Sequence, residues 1–180
     1  MPLTELKEYT VNEIYSLPEG ERAELIDGKV YYMAPPSRKH QHIVGEMFAK
    51  IHNYVRNSLG KYDIYMMPFG VFLGEDNKNY VEPDLCIISD SNKLTDKGCA
   101  GAPDWIIEVV SSDSRKIDYT TKLFKYRTSG VREYWLVDSE KSRVMVYAFY
   151  KDEMTEYSFT EDIPVSIFTD FSIRMSELEV

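Results

Sequence analysis

Trp105-Ile106-Ile107-Glu108-Val109-Val110 is the most apolar run in the chain, and its reading decides the fold. Unbroken apolar character around one carboxylate marks a strand in a central, buried position. Glu108 is costly there unless a cation or hydrogen bonds compensate it. A second acid stands 24 residues earlier in Val81-Glu82-Pro83-Asp84-Leu85-Cys86-Ile87-Ile88, at the mouth of another apolar strand and just after a proline. Two acids entering from adjacent strands make an oxygen-rich site suited to Mg²⁺ or Mn²⁺. The plain alternative is a strand-end acid capping a turn together with one buried salt bridge.

After the Glu108 strand, Asp113 to Ser129 reads as a helix closed by Gly130. Asp118, Lys122 and Lys125 are spaced i, i+4, i+7 and share one face, while Tyr119, Leu123 and Tyr126 share another that packs on the sheet. A lysine beside two metal-binding carboxylates stabilises negative charge developing on phosphorus, or positions an attacking water. An Asp118–Lys122 surface ion pair is the competing reading.

The remaining elements are arranged around this pair. Thr10 to Leu17 is a short helix ended by Pro18-Glu19-Gly20, and Arg22 to Met33 is a hairpin turning at Asp27-Gly28. Ser37 caps a long helix reaching about Leu59, with Gly60 ending it. Its apolar stripe is Ile43, Val44, Met47, Phe48, Ile51, Tyr54 and Val55. His40 falls within that stripe and Glu46 projects away from it. Extended segments follow at Asp63 to Leu73 and Val81 to Ser89, separated by a polar loop from Gly74 to Asn79. Strands at Glu133 to Asp138 and Val144 to Tyr150 complete the readable core, and the acidic stretch after Lys151 gives weaker signals. This order predicts an α/β protein, a mixed sheet flanked by helices.

A chain of 180 residues suits one domain. We expect a core at about 21–150, an N-terminal helix at 10–17 and an acidic C-terminal extension at 151–180. With 43% hydrophobic residues the chain can bury a core unaided. No run of 18 apolar residues suggests a membrane span, and MPLTELKEYT does not read as a signal peptide. Cys86 and Cys99 have no metal-binding spacing and fit reduced thiols, so a cytoplasmic protein without zinc is expected. No Gly-rich phosphate loop or G-x-S-x-G elbow occurs. A net charge of −9 argues against broad nucleic-acid binding, yet Arg115, Lys116, Lys122, Lys125, Arg127 and Arg132 stand against Asp118 alone over 115–132. That basic island meets either a phosphate backbone or only solvent.

PDLCII at 83–88 is followed by GAPDWIIEVVSSDSRKIDYTTKLFKYRTSGVREYWLVD at 101–138 and preceded by ELIDGKVYYMAPPSRKHQHIV at 24–44. This ordered set resembles the bacterial Uma-type restriction endonucleases of the PD-(D/E)XK superfamily. The resemblance implies a restriction-endonuclease-like core and metal-dependent hydrolysis of phosphodiester bonds, in DNA. It assigns Asp84 and Glu108 to the metal. The superfamily lysine belongs two residues after Glu108, where this chain has Val110; the D-x-x-x-K pattern shifts that role to Lys122, with Lys125 one turn on as the other candidate. Asp104, in a second Pro-Asp pair, ranks below Asp84. Glu24 and His40 also match the family pattern and join the catalytic candidates, although an ordinary strand residue before a turn would explain Glu24, and a buried, hydrogen-bonded histidine is the favoured reading of His40. Tyr134-Trp135 fits too, and core packing accounts for it. Arg115, Lys116 and Lys125 are expected along the nucleic-acid path, and homodimers are the superfamily's habit. A nuclease-fold binding or assembly module without turnover is the alternative, motivated by Val110 and the acidic bulk; RNA or branched DNA as substrate is weaker still.

Overall fold

The computed structural model describes residues 7–58 and 61–178; Leu59 and Gly60, expected to end the long helix, lie outside it, as do residues 1–6 at the start of the chain. Helix α1 (Val11–Tyr15) leads into a hairpin of β1 (Ala23–Ile26) and β2 (Lys29–Tyr32), and α2 spans Arg38–Ser58. Strands β3 (Asp63–Met66), β4 (Val71–Phe72), β5 (Tyr80–Val81), β6 (Leu85–Ile88), β7 (Leu94–Thr95), β8 (Gly98–Ala100) and β9 (Trp105–Val109) follow. A continuous helix α3 over 115–129 joins β9 to β10 (Glu133–Asp138). The chain then runs through β11 (Arg143–Ala148), β12 (Glu153–Ser158), β13 (Ile163–Pro164) and β14 (Ser172–Ile173). Among the described residues no helix is long and apolar enough to cross a membrane.

Local chemistry explains the punctuation. Thr10 and Glu13 form a capping box at the start of α1. Asp27 and Gly28 have φ of 49° and 71°, the left-handed pair that a two-residue hairpin turn needs. Gly130 closes α3 in the left-handed conformation, and Val131 N–H returns to the Tyr126 carbonyl at 3.1 Å.

Two six-stranded sheets result, in the orders β12-β11-β10-β9-β6-β3 and β2-β1-β5-β4-β8-β7. The first is mixed: β9 and β10 run parallel, and its other neighbours are antiparallel. β9 lies inside that sheet with every residue buried, which is the position its apolar run predicted. Trp105, Ile107 and Val109 face the α2 stripe of Ile43, Val44, Met47, Ile51 and Val55. Ile106 and Val110 face the other way, into a second core with Tyr126 of α3 and residues of the smaller sheet. The mixed sheet flanked by helices is therefore observed, with a second sheet added.

The structure corrects two readings. The extended segments at Asp63 to Leu73 and Val81 to Ser89 each break in two, because the chain switches sheets. β3 pairs with β6 in the larger sheet, whereas β4 pairs with β5 and β8 in the smaller one. The switch brings two backbones together at Gly70 and Gly98, where a Cβ on Gly98 (φ 131°) would lie 2.0 Å from the Gly70 carbonyl oxygen. The stretch after Lys151 is also more than weak signal. Ile163, Val165, Phe168, Ile173, Met175 and Leu178 join the α2-side core. Buried Glu133 fastens this stretch to β10, accepting hydrogen bonds from Ser166 N–H at 3.1 Å, Ser166 Oγ at 2.7 Å and Ile167 N–H at 2.9 Å.

Ile173→Ala should therefore cost about 2–5 kcal/mol of stability, a core rather than a tail value. Urea denaturation reads this directly, and a loss under about 0.5 kcal/mol would detach the segment from the core.

Candidate active site

Four elements converge at one end of β9. The antiparallel register pairing Leu85 with Ile107 and Cys86 with Ile106 carries Asp84 opposite Glu108. Strand alternation puts Glu108 on the same face as Ile106 and Val110, the face that α3 covers. α3 adds Asp118 and Lys122, β1 adds Glu24, and the first turn of α2 adds His40.

Lys122 is the centre of the cluster. Its Nζ lies 2.8 Å from Glu24 Oε2, 2.9 Å from Glu108 Oε1 and 3.7 Å from Asp118 Oδ1. Exposure is 4% for Glu24, 5% for Asp84, 4% for Glu108, 1% for Asp118 and 4% for Lys122, so four buried carboxylates face one ammonium. Burial pushes the Glu108 carboxyl well above its ordinary range; Lys122 opposes this, while Asp84, Asp118 and Glu24 reinforce it. Burial raises Asp118 as well, again opposed by Lys122. Burial alone would lower Lys122, yet Glu108, Glu24 and Asp118 hold it well above its usual range. Lys122 is thus a fixed positive charge and not a proton acceptor.

The hydrogen bonds leave particular oxygens open. Asp84 Oδ2 accepts from Val109 N–H at 2.7 Å and lies 3.1 Å from His40 Nε2. Glu108 Oε1 accepts from Lys122 and from the Tyr126 hydroxyl, each at 2.9 Å, whereas among the described residues Oε2 meets only the Asp84 N–H at 3.4 Å. Asp84 Oδ1 and Glu108 Oε2 are therefore the oxygens with capacity to spare. Asp118 Oδ1 and His40 Nδ1 are buried without a hydrogen-bond partner among the described residues. Buried groups are ordinarily satisfied, as Glu133 is, so these two are exceptions that need a cause.

A divalent cation fits this donor set. It would offset the excess negative charge and would meet two hard oxygens on adjacent strands. Among the described residues no group of three or more His, Cys, Asp or Glu is arranged to hold a metal. Such an ion would keep much of its coordination shell as water, the habit of Mg²⁺. The cluster forms the floor of a cleft of about 470 Å³. Tyr31 to Pro36 wall one side, and Ser111 to Ser114 with Ser139 and Glu140 line it elsewhere.

The candidate residues separate here. Asp84, Glu108, Lys122, Glu24 and His40 come together. Glu24 has both oxygens engaged, by Lys122 and by Glu82 N–H at 3.0 Å, so it anchors the lysine. The Asp118–Lys122 contact is buried and not a surface pair. Val110 is apolar core, and Lys122 reaches Glu108 from the helix instead. Lys125 leaves the site to pair with Asp27, and Arg115 pairs with Asp138 and Glu140. Arg127 and Arg132 are held by Asp152 and Asp104, while Lys116 is exposed. Asp104 sits at the far end of β9, accepting from Ser89 N–H and Oγ, each at 2.7 Å. Tyr126 is the residue that periodicity assigned only to packing. A π-helical turn at Asp118–Lys122 rotates the following residues, and nothing in the spacing announces that turn.

A family model described as "Uma2: Putative restriction endonuclease" matches residues 8–176. No curated protein matches the chain. Among solved structures, the crystal structure of a "putative nuclease belonging to DUF820" from Anabaena variabilis ATCC 29413 superposes with a TM-score of 0.77 at 24% identity, covering 94% of this chain and 96% of that one. At that identity the likeness speaks for the fold, which is restriction-endonuclease-like.

Removing the single cation should be severe. Lys122→Met leaves Glu24, Glu108 and Asp118 uncompensated and should cost about 3–5 kcal/mol near neutral pH without added metal. A carboxyl whose folded pKa is raised binds its proton more readily folded than unfolded, so acidification favours the fold. The deficit should accordingly be smaller at about pH 5 than at about pH 7.5, because burial displaces the Glu108 carboxyl upward. Urea titrations of variant and wild type at both pH values test this; a pH-independent deficit would contradict the charge account.

Proposed function

The chain belongs to the Uma2 family, and from that membership we propose that it hydrolyses phosphodiester bonds in DNA using Mg²⁺ or Mn²⁺ held on Asp84 and Glu108. The observation that carries this reading is the pairing of the two carboxylates across β6 and β9, with Lys122 bonded to one of them at 2.9 Å. A bound ion would supply an activated water and neutralise charge on the scissile phosphate.

The chain's own groups account for the rest. Lys122, kept as an ammonium, contributes positive potential at the cleft floor, where low dielectric strengthens it. Glu24 prevents that ammonium from moving. His40 and the Val109 N–H together hold Asp84 by Oδ2, leaving Oδ1 for the ion. Lys116, exposed on the helix that carries Lys122, offers a first contact for a phosphate backbone. Arg115 and Lys125, in ion pairs in the free protein, become available only if DNA phosphates displace Asp138, Glu140 and Asp27. Cutting both strands requires two such sites, so the acting form is proposed to be a homodimer.

Linear, nicked, supercoiled and branched DNA should be cut only with Mg²⁺ or Mn²⁺. Asp84→Ala, Glu108→Ala and Lys122→Ala should each lower the rate at least 100-fold. Cleavage retained by folded Asp84→Ala and Glu108→Ala would end this reading. A wild type that binds metal through Asp84 but cuts nothing would instead assign a binding module.

A further inference from the structure

Glu108 Oε1 accepts two hydrogen bonds of equal length, 2.9 Å from Lys122 Nζ and 2.9 Å from the Tyr126 hydroxyl. The two donors differ in stiffness. Lys122 sits on a flexible stem and shares its protons with Glu24 at 2.8 Å. The Tyr126 ring is 0% exposed and packs edge-on against Tyr134 with centroids 4.9 Å apart. Its hydroxyl is a fixed point in the core, and Glu108 is what it touches.

We propose that Tyr126 is a positioning residue whose hydroxyl pins Glu108 Oε1 and thereby presents Oε2 to a divalent cation. This rests on the reading of the cleft as a metal-dependent nuclease site. With Oε1 accepting two donors and Oε2 meeting only the Asp84 N–H at 3.4 Å, the carboxylate has one free side, and that side faces Asp84. Lys122 alone would let the carboxylate rotate about its last torsion, which is broad for glutamate.

The helix is wound in a way that serves this contact. In a regular α-helix each step of four residues drifts about 40° round the axis, so Asp118, Lys122 and Tyr126 would fan out by about 80°. The π-helical turn at Asp118–Lys122 takes up an extra residue per turn and removes much of that drift. All three side chains then reach the same buried site, while Lys125 is turned outward to Asp27.

Ordinary core packing is the competing account, and Tyr134 measures it. Tyr134 is equally buried, in the same apolar cluster, and its hydroxyl donates to the Asp118 main-chain oxygen at 3.2 Å. Loss of either hydroxyl should cost stability; only loss of the Tyr126 hydroxyl should change the affinity for the ion.

The experiment compares full-length wild type, Tyr126→Phe and Tyr134→Phe. Free Mn²⁺ is counted by electron paramagnetic resonance, thermal unfolding is followed without metal, and DNA cleavage is measured against Mn²⁺ concentration. Tyr126→Phe should weaken Mn²⁺ binding about 10–100-fold. It should raise the Mn²⁺ needed for half-maximal cleavage, with the rate recovering as the ion saturates. Tyr134→Phe should lower Tm while keeping wild-type Mn²⁺ affinity. Unchanged affinity in Tyr126→Phe beside tight wild-type binding overturns the proposal and leaves the nuclease reading standing. Equal losses of affinity in both variants also overturn it, by making the effect one of packing. A wild type that binds no Mn²⁺ overturns the metal reading itself, and this proposal with it.

Discussion

The ammonium of Lys122 among buried carboxylates is the interaction on which the site depends. Placing Glu24, Glu108 and Asp118 out of water is unfavourable unless positive charge comes with them. One lysine supplies part of that charge and in doing so ties β1, β9 and α3 to one point. The remaining excess of negative charge is what the proposed cation would offset, and it sets this cluster apart from an ordinary salt bridge. Glu133 shows the alternative within the same molecule: a buried carboxylate whose oxygens are bonded by Trp135, Ser166 and Ile167 and which has no chemistry left to offer.

The two faces of β9 divide the work. Trp105, Ile107 and Val109 face α2 in an apolar core, with Trp105 and Trp135 packed edge-on at 4.9 Å. Ile106, Glu108 and Val110 face α3, where the apolar contacts of Tyr126 and Tyr134 exclude water from the acids. Solvent exclusion is what gives Lys122 its reach, because a charge in low dielectric acts far more strongly than one at the surface. The strand break at Glu82-Pro83-Asp84 does related work. It ends the pairing of β5 and starts that of β6, so that Asp84 arrives at the cleft with its N–H directed to Glu108.

Charge outside the cleft is arranged differently. The basic stretch of 115–132 stands out in the sequence, but Arg115, Lys125, Arg127 and Arg132 each meet an acid from elsewhere in the chain. Of these, only the Arg127–Asp152 pair is exposed on both sides and so contributes little to stability, whereas Asp138 and Asp104 are buried partners. What reads as a positive island is therefore largely a set of paired charges around an acidic cleft, with Lys116 left exposed.

Much of this was legible beforehand. The apolar run around Glu108 identified a buried central strand, because only a strand covered on both faces tolerates such continuity. The costliness of its carboxylate, with Asp84 at the mouth of the preceding apolar strand, marked a candidate site. The stripe on α2, the Asp27-Gly28 turn and the Gly130 stop followed from local stereochemistry. Other features are properties of the assembled chain. The breaks in the segments at Asp63 to Leu73 and Val81 to Ser89 depend on which sheet each half joins. The inclusion of Ile163 to Leu178 in the core depends on Glu133 and α2, which are distant in sequence. The fate of the basic residues depends on acids 23 to 98 positions away. Tyr126 depends on a widened helical turn that no spacing rule announces. Residue type and period act between neighbours and are written in the sequence; pairing across the fold and the last few tens of degrees of a helix are decided only when the tertiary structure closes.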